Sequence, residues 1–145
     1  MIEEVTHETL NEVLPLIGKY QEFYEVTVIN DEKNKCFFSQ FIGSDNGVLH
    51  LYRSEGKAVG FTTIYNGFSS TRAETVAILN DLYVSQSYRG KGIGKELVDH
   101  AFNVAKERGY SRLQWLTAQD NVKAQELYNS LGANKSSWFF YAKDT

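Results

Sequence analysis

The stretch Tyr83–Phe102, YVSQSYRGKGIGKELVDHAF, decides how this chain is read. An apolar run ends at Val84. Three glycines and three basic residues then crowd into Arg89–Lys95, and an amphipathic run starts at Ile93. A helix N-terminus carries amide N–H groups without intrahelical partners and a partial positive charge, so it attracts phosphate. Glycine ahead of it lets the main chain approach an anion with no Cβ in the way. The segment predicts a strand, a pyrophosphate-binding loop and a helix, in that order.

The spacing excludes two common phosphate motifs. A P-loop needs G-x-x-x-x-G-K-[ST], and here no Ser or Thr follows Gly-Lys. A dinucleotide fingerprint needs G-x-G-x-x-G, whereas Gly90, Gly92 and Gly94 read G-x-G-x-G.

Working outward, VAILNDLYV (Val76–Val84) is nearly continuously apolar, as in a strand covered on both faces. Ile93–Arg108 spaces Ile93, Leu97, Ala101 and Ala105 on one helical face, and Gly109 ends that helix. RLQWLTA reads as a strand, Val122–Leu131 as a helix and Trp138–Ala142 as a last strand. Upstream, Ile2–Val5 predicts a short strand and Thr9–Ile17 a helix. YQEFYEVT and EKNKCFFSQFI are further helical pieces, the second with Cys36, Phe37 and Phe41 on one side. Val48–Arg53 and Ala58–Tyr65 flank SEGK as a hairpin, and Asn66-Gly67 signals another turn. The order β-α-α-α-β-β-β-α-β-α-β predicts an α/β (α+β) fold around one central sheet. The length of 145 residues fits a single domain, 1–145, without repeat or linker.

Composition bounds the function. A net charge of -3 argues against nucleic-acid binding and suits a cationic substrate better. Cys36 is the only cysteine, so no intramolecular disulfide or cysteine metal site forms, and a reducing compartment is expected. MIEEVTHETL is not a secretory leader, and no run reaches the roughly 18 apolar residues of a membrane span, so the expectation is a cytoplasmic protein off the membrane. His7, His50 and His100 show no metal spacing, and no metal is expected.

What the glycine segment does match is Arg-x-x-Gly-x-Gly, at Arg89, Gly92 and Gly94. Here the sequence resembles the GNAT superfamily of acyl-CoA-dependent N-acetyltransferases. RLQWLTAQDNVKAQELYNSLGA resembles the family's second motif, a strand followed by Asn-x-x-Ala-x-x-x-Tyr-x-x-x-Gly-Ala. Together the motifs span Val76–Ala133, and the second motif with the WFF run resembles small diamine or polyamine (Hpa-type) acetyltransferases. The resemblance implies a mixed, mostly antiparallel sheet of six to seven strands, splayed between the fourth and fifth, with about four helices. It implies acetyl-CoA as the acetyl donor and direct transfer to a primary amine, either a small molecule such as a polyamine or a lysine-like amine.

The residue roles follow from that resemblance. Backbone groups of Leu82, Tyr83 and Val84 would hold pantetheine and the acetyl carbonyl. Arg89, Gly90, Lys91, Gly92, Ile93, Gly94 and Lys95 would hold the pyrophosphate. Asn121 matches a cofactor contact, and an asparagine there also caps a helix. Tyr128 matches the proton donor to the departing thiolate; a phenol with reference pKa near 10 can serve once positioned. Without the resemblance Tyr128 reads as a core residue on the stripe of Ala124, Leu127 and Leu131.

Relatives often carry Leu-Glu-Asp where this chain has Leu79-Asn80-Asp81. Asn80 cannot be a base, though it can hold a relay water. Regular alternation points Asp81 to the opposite face from Asn80 unless a bulge intervenes. Glu22 and Glu25 are other candidate bases. Tyr20, Glu22, Phe23 and Tyr24 combine aromatic and acidic groups suited to a cationic acceptor, and they equally suit an ordinary amphipathic helix. Cys36 is expected to pack rather than react. SSWFFYA is a candidate homodimer interface. The competing class is a non-catalytic acyl-CoA-binding domain acting as a sensor; Tyr128 with the intact loop favours the enzyme, and Asn80 leans the other way.

Overall fold

Glu55 (φ 50°) and Gly56 (φ 77°) form a two-residue turn with both residues at positive φ, the geometry that matches the twist of paired strands. It joins β2 (Gly47–Ser54) to β3 (Lys57–Ser69), the expected hairpin. The computed structural model describes all residues, 1–145. Three further strands are β1 (Ile2–Glu4), β4 (Glu74–Val84) and β5 (Leu113–Gln114), and the helices are α1 (Leu10–Phe23), α2 (Asp31–Ser39), α3 (Ile93–Glu107) and α4 (Val122–Ser130). The sheet order is β1-β2-β3-β4-β5, antiparallel except for the parallel β4–β5 pair. The mixed, mostly antiparallel α/β fold is as expected, with five strands in place of six to seven.

Each sheet face buries a separate core. On one side α1 and α2 bring Val13, Ile17 and Phe38 against Leu49, Leu51 and Phe61. On the other, α3 lays Val98, Ala101 and Ala105 against Val48, Ile64 and Leu79. Arg53 clips β1, β2 and α1 together through Glu3 (2.6 Å) and Glu12 (2.7 Å).

Several expectations need correction. YQEFYEVT is not a separate helix: α1 continues through Pro15 to Phe23, leaving two helices before β2. Proline removes one N–H from the ladder but does not end α1, because Val13, Leu16 and Ile17 are buried on either side of it. Asn66-Gly67 lies inside β3, and the turn falls at Ser70–Ala73. A Cβ on Gly67 would meet Ile78 Cδ1 at 2.7 Å, so this glycine serves close strand packing rather than a bend. Helix α2 turns Asn34 and Phe38 inward, and Cys36 and Phe37 face solvent. Of the expected side only Phe41 packs against the core, joined there by Phe38.

RLQWLTA contributes only the two residues of β5. Trp138–Ala142 forms no strand: Trp138 is 92% exposed and Tyr141 90%. A strand is a pairing as much as a propensity, and nothing within the chain pairs with this run.

Candidate active site

The site begins as an open sheet edge. β4 pairs with β3 as far as Val84–Gly60, but its other side meets β5 only at Ala77–Leu113 and Ile78–Gln114. Beyond Ile78 no strand lies along that second edge, and Leu82, Tyr83 and Val84 run beside it.

The edge leads into the glycine loop. Gly90 (φ 75°) and Gly92 (φ 83°) adopt left-handed backbone, and Gly92 is the N-cap of α3 without any side-chain cap. Six successive amides, Gly90 to Lys95, donate to no main-chain carbonyl; the first to do so is Glu96, to Gly92. A run of free N–H groups at a helix start suits an anion such as a pyrophosphate in polarity. Arg89 turns back to donate through Nε to the Val84 carbonyl (2.8 Å), with its guanidinium 5.5 Å from the Tyr83 ring centre. Lys91 lies over Tyr88 at 5.0 Å and lines a cleft of about 380 Å³ with Tyr52, Ser87 and Ile93. Lys95 pairs with Asp99 one helical turn on (2.7 Å).

Helix α4 covers the other flank. Asn121 Oδ1 accepts from the Ala124 amide (3.2 Å), so its capping role is met. Leu127 packs against Gly94 at the start of α3. Tyr128 is half-buried, edge-on to Trp115 with ring centres 5.1 Å apart. Burial, and then the Tyr24 phenol, push its pKa above the usual tyrosine value, so the hydroxyl keeps its proton at neutral pH.

Behind β4, between the sheet and α1–α2, lies a second cleft of about 290 Å³. Its lining includes Tyr20, Tyr65, Asn80 and Asp81. Asp81 is 5% exposed, accepts hydrogen bonds from Thr63 Oγ1 and from Asn80 Nδ2 (3.2 Å), and has no cation partner. Burial, followed by the Asp81 charge, pushes the Tyr20 and Tyr65 phenols well above their ordinary pKa. Tyr20 donates to the Asn80 carbonyl (3.4 Å) and stands edge-on to Tyr83 at 6.4 Å, linking this cleft to the open strand.

Asp81 reaches the cleft because of a bulge. Thr63 pairs with Asp81 but Ile64 pairs with Leu79, leaving Asn80 as the extra residue. Asn80 and Asp81 therefore line one cavity, against regular alternation. Of the four expected acceptor residues only Tyr20 lines it. Glu22 pairs with Lys19 (3.3 Å), and Phe23 and Tyr24 are largely exposed at the end of α1. Tyr65, Lys33 and Asp81 line the cleft without having been expected there from the sequence. The Asn80-Asp81 pair was the one available signal, and only the bulge gives it a direction.

The histidines do not join this site. His50 and His100 meet on the α3 side of the sheet with ring centres 4.4 Å apart. His50 Nδ1 and His100 Nε2 are buried without hydrogen-bond partners. No group of three His, Cys, Asp or Glu gathers in a metal-holding arrangement.

These features coincide with known proteins. Residues 14–133 match the model of the acetyltransferase (GNAT) family. The chain is 33% identical over 129 residues to the D-amino-acid N-acetyltransferase HPA3 of Saccharomyces cerevisiae, covering 87% of this chain and 79% of that protein. It is 30% identical over 129 residues to the uncharacterized N-acetyltransferase YhfO of Bacillus subtilis, covering 89% and 86%. Among solved structures, a probable acetyltransferase superposes with TM-score 0.88 at 30% identity, over 100% of this chain and 97% of the other. With the strand, the glycine loop and helix α4 standing in the family's order, the chain belongs to the GNAT family of N-acetyltransferases.

Proposed function

We propose that this protein transfers an acetyl group from acetyl-CoA directly to the primary amine of a small molecule, a polyamine, amino acid or other lysine-like amine, within a ternary complex. The observation that carries the reading is the continuity of the open β4 edge with six unpaired amides at Gly90–Lys95. An extended pantetheine arm would lie along Leu82–Val84, and its pyrophosphate would sit on the loop. A free N–H on that edge would bind the thioester oxygen as charge develops there. HPA3 acts, by its name, on D-amino acids, and other relatives are named for thialysine and L-ornithine. All are amines.

The acceptor enters from the α1–α2 side, and Asp81 is the only carboxylate lining that cleft. Asp81 takes one proton from the bound ammonium. The freed nitrogen forms the C–N bond, the C–S bond breaks, and the Tyr128 hydroxyl gives its proton to the sulfur. The second nitrogen proton returns to the Tyr128 phenolate through solvent, and Asp81 releases the first to bulk water. Asn80 orients Asp81 rather than acting as a base, and Asn121 holds the start of α4.

Residues 1–145 act together as one acetyltransferase domain in the cytoplasm. An exposed Cys36 thiol suits a reducing compartment, and no helix is long and apolar enough to cross a membrane. Trp138, Phe139, Phe140 and Tyr141 are covered by a second copy in a homodimer. Free-thiol release from acetyl-CoA, measured against a panel of amines, tests the activity. Amine-dependent thiol release is expected; binding of acetyl-CoA with no release on any amine would overturn it.

A further inference from the structure

The acceptor cleft holds two charged side chains, and they carry opposite signs. Asp81 sits on its sheet wall, and Lys33 projects from the first turn of α2. Neither has an ion-pair partner within the protein. Lys33 is not on a loosely held helix: buried Asn34 exchanges two amide hydrogen bonds with Gln21 of α1, at 2.8 and 2.9 Å. Asn30 caps the same turn by accepting from the Lys33 amide (3.0 Å). The first turn of α2 is thus fixed against α1 with its ammonium group free.

We propose that this cleft binds a zwitterionic amine, an amino acid, with its ammonium group on Asp81 and its carboxylate on Lys33. The inference rests on the acetyl-transfer reading for which end reacts, but the charge pattern is independent of it. A buried carboxylate without a cation is costly unless a ligand supplies one. A polyamine would satisfy Asp81 yet place a second positive charge near Lys33. An amino acid satisfies both. The cleft, about 290 Å³, lies at the small end of ligand pockets, which run from about 300 Å³ upward. That size suits a free amino acid. Tyr20, Tyr65 and Phe38 supply the apolar wall for its side chain.

The test compares acceptors that differ only in the carboxylate: alanine (each enantiomer) with ethylamine, and lysine with cadaverine. Turnover with acetyl-CoA is measured alongside calorimetric binding to the CoA-saturated protein. The acids should exceed their decarboxylated partners by about tenfold in kcat/KM and in affinity, the scale of one charge-assisted hydrogen bond. Lys33→Gln should bring the acid-to-amine ratio close to one, and Lys33→Glu should invert it. Equal or better use of ethylamine and cadaverine, or a ratio unmoved by Lys33→Gln, would overturn the proposal while acetyl transfer stood. Selective, Lys33-dependent binding of the acids without turnover would uphold the zwitterion site and remove the transfer reading. Neither binding nor turnover would remove both.

Discussion

Leu79 and Asp81 lie two positions apart on β4 yet project to opposite faces of the sheet. Leu79 packs against Val98 and Ala101 of the α3 core, whereas Asp81 enters the cleft beside Tyr20 of α1. In a regular strand such residues share a face. The extra residue, Asn80, separates them and turns a carboxylate into the cleft between the sheet and α1–α2.

Asp81→Asn keeps the shape and removes the proton acceptor. Steady-state kinetics should show kcat/KM for the amine falling by about 100-fold or more, the usual scale for a general base. Acetyl-CoA affinity, read by calorimetry, should stay within about twofold on the same reasoning. A modest loss in turnover would assign Asp81 to structure alone.

Tyr128→Phe removes one hydroxyl from a ring whose packing on Trp115 is retained. The expected result is a fall of about 100-fold in kcat with acetyl-CoA binding preserved. Unchanged turnover would transfer the proton-donor role to solvent.

Gly92 holds φ 83° at the N-cap of α3, with no heavy atom within 4 Å of where a Cβ would stand. Gly92→Ala therefore clashes with no protein atom, but it carries a left-handed backbone penalty of about 1 kcal/mol. Its Cβ would also project from the middle of the free-amide run Gly90–Lys95. Thermal melting should show a small loss of stability, and KM for acetyl-CoA should rise by about tenfold or more, beyond what the strain explains. An unchanged KM would move the pyrophosphate away from this loop.

Burial, reinforced by His100 and then Arg108, lowers the His50 pKa from 6.5 to about 4. Between those values the unfolded chain binds a proton that the folded chain does not, so stability falls as pH drops from about 6.5 to about 4. It is fully present above that window. Urea unfolding at pH 7 and pH 4.5 should differ by up to about 3 kcal/mol from this group. His50→Leu should flatten this part of the slope; an unaltered slope would place the proton elsewhere.

The exposed Trp138–Tyr141 run should vanish into a dimer interface. Sedimentation of the full chain should give a dimer, and a chain ending at Lys135 should give a monomer. A monomeric full chain would leave those aromatic residues to another partner.

Some of this could be read before any coordinates. The glycine loop, α3, α4 and the Glu55-Gly56 hairpin depend on neighbours a few residues apart, so composition and period reveal them. The inward face of α2 is not legible locally because Cys36, Phe37, Phe38 and Phe41 offer two overlapping apolar stripes, and only burial in the core with Ile17 and Leu49 selects Phe38. Gly67 follows the same logic: Asn-Gly is a turn signal in isolation, and the pairing that brings Ile78 close keeps it in a strand.

The sequence by itself determined the glycine loop proposed to hold the donor, because amides at a helix start and glycines at positive φ are local properties of Arg89–Lys95. Only the tertiary structure decided the cleft proposed to take the acceptor. Asp81 comes from a bulge set by the register of β3 on β4, Tyr20 from α1 and Lys33 from a helix pinned by Asn34 to Gln21. Register and helix docking are long-range relationships, and no short window of residues records them.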